Sequence, residues 1–242
     1  MTASGRAVPG ADEIAAQLEA LPERNAEGLR RLRRAISRQI EGEPPGVVLD
    51  LALALLGTGA LGSHVIAFEL ILHHPTALSA LRAADIDRLG SSMQSWGEVD
   101  TFACYIAGRA WRMGRISDRM IARWARSTNR WWRRAALVST VPLNVRAQGG
   151  DGDAPRTLAV CALLADDRDP MVVKALSWAL RELAVRDRDS VGVFLEGYED
   201  RLAQRVLREV RAGARITPRF QGGDVRCGGG WCSSAWAGCG EA

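Results

Sequence analysis

The chain is a succession of short segments with helical apolar spacing, each closed by proline or glycine. Sustained apolar/polar alternation is nearly absent, and clusters of β-branched residues are rare. A sheet needs period-2 alternation or β-branched runs, so this pattern removes most folds that contain one. Residues 11–21 repeat Ile14, Leu18 and Leu21 at helical spacing before Pro22. Residues 25–40 place Leu29, Leu32, Ile36 and Ile40 on one face and arginines on the other. Residues 47–56 are almost uniformly apolar, which predicts a buried helix. Further helices are expected over 60–74, 85–93, 96–113, 117–125, 130–141, 156–164, 171–185, 190–196 and 200–212. Pro75 and Pro142 are expected to stop two of them. Residues 146–155 read as a Gly-rich loop.

The fold class is therefore all-α, as a bundle or a stack of antiparallel helix pairs. Trp96, Arg134 and Trp178 stand 38 and 44 residues apart. That is close to the ~40–47-residue period of HEAT-type pairs. The expectation is an α-solenoid of HEAT-like antiparallel helix pairs, with like positions of successive repeats lining a concave groove. Residues 1–10 are read as a disordered N-terminus, 11–213 as the folded domain, and 214–242 as a disordered Gly/Cys-rich tail.

Composition narrows function. No apolar run approaches the ~20 residues of a membrane span, and the N-terminus lacks the apolar stretch of a secretory signal. A cytoplasmic, monomeric protein with no membrane partner is expected. The net charge is +4, and all but one of the 32 cations are arginine, the exception being Lys174. Arginine suits bidentate contact with phosphate, although a GC-rich coding sequence would also enrich it. Cys104 and Cys161 sit in apolar helical patterns as buried thiols. Cys227, Cys232 and Cys239 lack a nearby histidine and make an incomplete zinc set. His64, His73 and His74 match no metal spacing and are expected to flank the end of one helix. No cofactor or metal is expected. Phosphate-binding loops, dinucleotide fingerprints, nucleophile elbows and zinc-protease motifs do not occur.

Three stretches could carry chemistry. In Ser95-Trp96-Gly97-Glu98-Val99-Asp100, Trp96 and Asp100 are four apart and share a helix face. Gly97 weakens that helix or marks its start. Glu98 is a second carboxylate, able to raise the pKa of Asp100 or to face solvent. In the 129–137 stretch, NRWWRRAAL, one face is apolar and the other carries Arg130, Arg133 and Arg134. Such a face is either solvated or a phosphate clamp interleaved with aromatics. In the 174–182 stretch, KALSWALRE, Lys174, Trp178, Arg181 and Glu182 form one stripe. Either Trp178 packs between repeats with the cations paired to Glu182, or the stripe is a binding surface.

Taken together, SWGEVD, NRWWRRAAL and VVKALSWALREL resemble the AlkD-like DNA alkylation repair family, the HEAT-repeat alkylpurine DNA glycosylases. Order and spacing agree. The resemblance covers roughly residues 29–212, is specific from 95 to 183, and is absent after 213. It implies excision of cationic N-alkylated purines, such as 3-methyladenine and 7-methylguanine, from double-stranded DNA without a base-flipping pocket. By motif position Asp100 matches the catalytic carboxylate. Trp96 and Trp178 match the indoles that hold the lesion's deoxyribose. Arg134 matches an arginine near the lesion backbone, and Arg181 a phosphate contact. Arg133 and Lys174 complete the candidate DNA contacts. Two further readings are a non-catalytic HEAT-like module that binds damaged or branched DNA, and a protein-interaction scaffold.

Overall fold

The computed structural model describes residues 8–22 and 25–215. Helix follows helix in it: α1 (Ala11–Glu19), α2 (Ala26–Ile40), α3 (Pro45–Gly57), α4 (Ser63–His73), α5 (Ala77–Ala80), α6 (Ala83–Gly90), α7 (Trp96–Phe102), α8 (Gly108–Arg112), α9 (Asp118–Ala125), α10 (Arg130–Val138), α11 (Val141–Asn144), α12 (Ala154–Leu163), α13 (Pro170–Ala184), α14 (Arg188–Gly197) and α15 (Gln204–Arg215). A π-helical stretch, Ala103–Ala107, joins α7 to α8 in one continuous rod. No strand occurs among the described residues, and the chain is all-α.

Side-chain caps set most of the boundaries. Asn25, Ser95, Ser117, Asn129, Asp153, Asp169 and Asp187 each accept a hydrogen bond from a backbone N–H in the first turn of the following helix. Each satisfies a donor that the helix itself cannot. Proline departs from the expectation at two places. Pro142 does not stop α10, which ends at Val138; it lies in the first turn of α11. Pro155 likewise lies in the first turn of α12, not in a loop. Proline is tolerated there because the first-turn N–H groups have no helical partner.

The helices pack in two rows. α2, α4, α7, α10, α13 and α15 each contact the next in that order. α3 packs on α4, α9 on α10 and α12 on α13 behind them. Neighbours in the first row run in the same direction. His64 and Phe68 of α4 meet Glu98 and Phe102 of α7, four residues further along in both helices. The α2 residue Arg33 likewise meets Glu69 of α4.

Aromatic rings fill the junction between rows. Phe102 lies 5.8 Å from Phe68 and 6.0 Å from both Trp124 and Trp132, and the two indoles are 4.9 Å apart. Gly90, the last residue of α6, admits this packing. A Cβ there would stand 2.5 Å from the Trp132 ring and 2.9 Å from Phe102.

The ordered chain begins earlier than expected. Val8 packs against the core and Pro9 is buried, although both fall in the segment read as disordered. Residues 1–7 and 216–242, including Cys227, Cys232 and Cys239, lie outside the described residues. No described helix is long and apolar enough to cross a membrane.

Gly90→Ala forces Trp132 or α6 to move, and overpacking of this kind costs about 1–3 kcal/mol. A lowered thermal midpoint is expected. Gly46→Ala, where a Cβ meets nothing within 4 Å, should leave the midpoint unchanged or slightly raised.

Candidate functional site

Ser95 and Glu98 start the helix that carries Asp100. The Glu98 carboxylate accepts from the backbone N–H groups of Gln94 (2.7 Å) and Ser95 (3.2 Å), while Ser95 Oγ accepts from Glu98 N–H (3.4 Å). This capping box fixes the first turn. Glu98 is therefore held by the start of its own helix, with its side chain 28% exposed. Its other oxygen lies 3.9 Å from His64 Nδ1. His64 stands at the start of α4, not at its end with His73 and His74. Burial holds its imidazolium below the ordinary range, with Glu98 opposing. Gly97 lies in the first turn, where its low helix propensity matters least.

Asp100 emerges one turn later. Its side chain is 19% exposed and meets Arg134 of α10, which is 7% exposed. Arg134 Nε donates to Asp100 Oδ1 at 2.8 Å and Nη2 to Oδ2 at 2.7 Å, a bidentate clasp. Arg134 Nη1 donates to the carbonyl of Met171, in the first turn of α13, at 2.6 Å. One guanidinium thus ties α7, α10 and α13 together. The expectation of Arg134 on a solvated or phosphate-clamping face does not hold, because the residue turns inward and its donors are engaged. Burial pushes the Asp100 carboxyl above its ordinary range, and Arg134 draws it back only in part. Arg134 uses one lone pair on each oxygen and leaves others open to a water or a cationic centre.

The remaining candidates divide. Trp96 is half-buried one turn before Asp100. Trp178 of α13 is half-buried, with its Nε1 donating to Glu182 Oε1 at 2.9 Å. Glu182 therefore holds the indole, and no ion pair links it to Lys174 or Arg181 among the described residues. Lys174 is half-buried on the same stripe. Arg181 is exposed, donates to the Ser177 carbonyl at 3.3 Å, and lies along α15 near Gly213. Arg133, expected as a DNA contact, has donors engaged within the fold. Its Nε donates to Asp167 at 2.6 Å and its Nη1 to the Ser127 and Thr128 carbonyls. Its donors fasten the turn before α10 to the turn before α13. Cys104 and Cys161 are buried thiols in no disulfide, and burial pushes the Cys161 thiol far up.

The π-helical stretch brings in two residues that the sequence did not single out. In a regular helix the turn after Asp100 would present Cys104. Here Cys104 is buried, and Tyr105 and Arg109 are half-buried instead. The outward line of the rod is Trp96, Asp100, Tyr105, Arg109, with one five-residue step where the π turn adds a residue. Only the backbone path reveals that shift.

The model of a family described as DNA alkylation repair enzyme matches residues 25–212. No curated protein and no solved structure matches the chain.

Removing one partner of a mostly buried ion pair costs about 3–5 kcal/mol, because the other charge is left uncompensated. Arg134→Ala should lower stability by that order in chemical denaturation. Arg134→Ala with Asp100→Ala should recover part of the loss. Strict additivity of the two single losses would contradict the coupling.

Proposed function

We propose, for a chain that belongs to the DNA alkylation repair enzyme family, that it is a glycosylase that removes cationic N-alkylated purines from duplex DNA. The row α2, α4, α7, α10, α13 and α15 is then the inner layer of a HEAT-like α-solenoid, and its open face is the DNA groove. The observation that carries this reading is the corner of that row. A carboxylate oriented by a buried guanidinium lies on the helix face of one indole, beside the helix that bears another.

The chemistry suits these groups. Alkylation at N3 or N7 gives the purine a positive charge. When the C1′–N bond breaks, its electron pair passes to the base, which leaves neutral and needs no acid. The sugar becomes an oxocarbenium-like cation. Asp100 stabilises that charge, as a preorganised anion in a partly desolvated site does. It also orients a water, whose oxygen forms the new bond to C1′ and whose proton passes to the carboxylate. The faces of Trp96 and Trp178 hold the deoxyribose and favour its positive charge. Arg134 keeps Asp100 ionised and aimed. Arg181 and Lys174 supply phosphate affinity, a sequence-independent, salt-dependent term. Arg133 serves the fold. The enzyme works as a monomer and without a cofactor.

One observation favours a second reading, a DNA-binding module without catalysis. Both oxygens of Asp100 are bound by Arg134, as in an ion pair kept for structure alone. Release of free base separates the two.

Methylated duplex DNA incubated with the wild type should yield 7-methylguanine or 3-methyladenine. Asp100→Asn should lower the single-turnover rate by about 10²–10³, the scale of losing one preorganised electrostatic group. Binding to methylated DNA without any base release would sink the enzymatic reading in favour of the second.

The pH profile gives a separate check. The active form carries ionised Asp100, so the rate falls as pH drops through its pKa. Burial places that pKa above the ordinary value of 3.8, so the acidic limb should lie at higher pH than an exposed aspartate gives. A single-turnover profile flat down to that value would count against Asp100.

A further inference from the structure

A second group of cations lies away from the Asp100 corner, at the C-terminal ends of α2 and α4. Arg33, Arg34 and Arg38 of α2, His73 at the end of α4 and His74 just after it wall a cleft of about 320 Å³. Glu41 is the carboxylate in the wall. Two of the arginines are partly neutralised. Arg33 Nε lies 3.4 Å from Glu69 and Arg34 Nη2 2.9 Å from Glu27. Arg38 and His73 are exposed.

The cleft also holds donors that the fold leaves unused. His74 is 8% exposed. Its Nδ1 accepts from the backbone N–H groups of Thr76 (3.3 Å) and Ala77 (3.1 Å). That places the proton of the neutral ring on Nε2. Nε2 is buried and has no hydrogen-bond partner, and neither does Ser37 Oγ. Buried donors are normally matched, so each such exception asks for an acceptor. Cations near helix C-termini would by themselves serve the helix dipoles. The unmatched His74 and Ser37 donors do nothing for the dipoles.

The cleft lies beside the rod that carries Asp100, because α4 packs against the π-helical stretch of that rod. Burial lowers the His73 pKa, followed by the repulsion of Arg33 and Arg109, so His73 stands in the field of both guanidiniums. Burial lowers the Arg109 pKa, followed by the repulsion of Arg112.

We propose that the cleft between the ends of α2 and α4 is an anion site that takes a phosphodiester of the DNA backbone. This rests on the reading of the chain as a DNA-acting enzyme. Arg38 meets the phosphate as a cation and His73 as a neutral hydrogen-bonding ring, with His74 Nε2 and Ser37 Oγ as donors in the wall. The site adds affinity and fixes register, and it leaves the chemistry untouched.

Arg38→Ala and His73→Gln test this, since both side chains are exposed and neither belongs to the Asp100 corner. Binding of an undamaged duplex is measured across a salt series. Base release from methylated duplex is measured separately, at saturating protein. Each variant should weaken duplex binding about three- to tenfold, and Arg38→Ala should also flatten the log–log salt slope by about one unit. The release rate at saturation should be unchanged. Wild-type affinity and slope in both variants overturn the proposal, whatever the release rate. If inorganic phosphate shifts the His74 imidazole resonances in that case, the cleft is a small-anion site and the backbone assignment is equally overturned. Loss of release at saturation in these variants would also overturn it, by showing that the cleft acts on the chemistry. Failure of the wild type to release any base bears on the glycosylase reading alone, because the binding arm uses undamaged DNA.

Discussion

A buried guanidinium needs acceptors in fixed directions, and Arg134 finds them only when three helices keep one spacing. Two of its nitrogens reach the Asp100 carboxylate on α7 and a third reaches the Met171 carbonyl on α13. A slip of either neighbour along α10 would strand donors in a place that water barely reaches. Desolvation makes such a loss expensive. The ion pair is thus a gauge of register. The same contact that orients the carboxylate reports that the rods are aligned.

Around this gauge, the local devices are aimed at one face of the row. The Ser95–Glu98 box sets the first turn of α7, which fixes where Trp96 and Asp100 point. The π turn then rotates the rest of the rod by one residue, so that Tyr105 and Arg109 continue the outward line. Glu182 holds the Trp178 indole edge from within α13. Arg133 spends its donors on two turns behind the face. Residues that look alike in sequence, Arg133 beside Arg134, do different work because a one-residue step on a helix is a rotation of about 100°.

Much of the fold was legible because helical spacing and punctuation are local. The apolar positions Ile14, Leu18, Leu32, Ile36 and Ile40 are all buried as their spacing requires. Ser117 and Asn129 cap α9 and α10, at the starts of the helices expected over 117–125 and 130–141. Proline was misread where it opens a helix, since the same residue can end one element or start the next. Among the candidate site residues, the Trp96–Asp100 spacing was plain in the sequence. The inward turn of Arg134 was not, because an arginine next to tryptophans gives no local sign of a carboxylate 34 residues away. Glu98 was legible in principle: Ser-x-x-Glu before an apolar run is the mark of a capping box. The π turn has no such mark, and Val8 and Pro9 are ordered by long-range packing that local composition does not record.

The order of helices in the inner row has a consequence for its length. Each rod touches chiefly the one before and the one after it, so the corner around Asp100 is complete once α7, α10 and α13 are present with their supports. Helix pairs at either end can be added, lost or remodelled while that corner stays fixed. A row of this kind can lengthen or shorten at its ends without disturbing the ion pair in its middle.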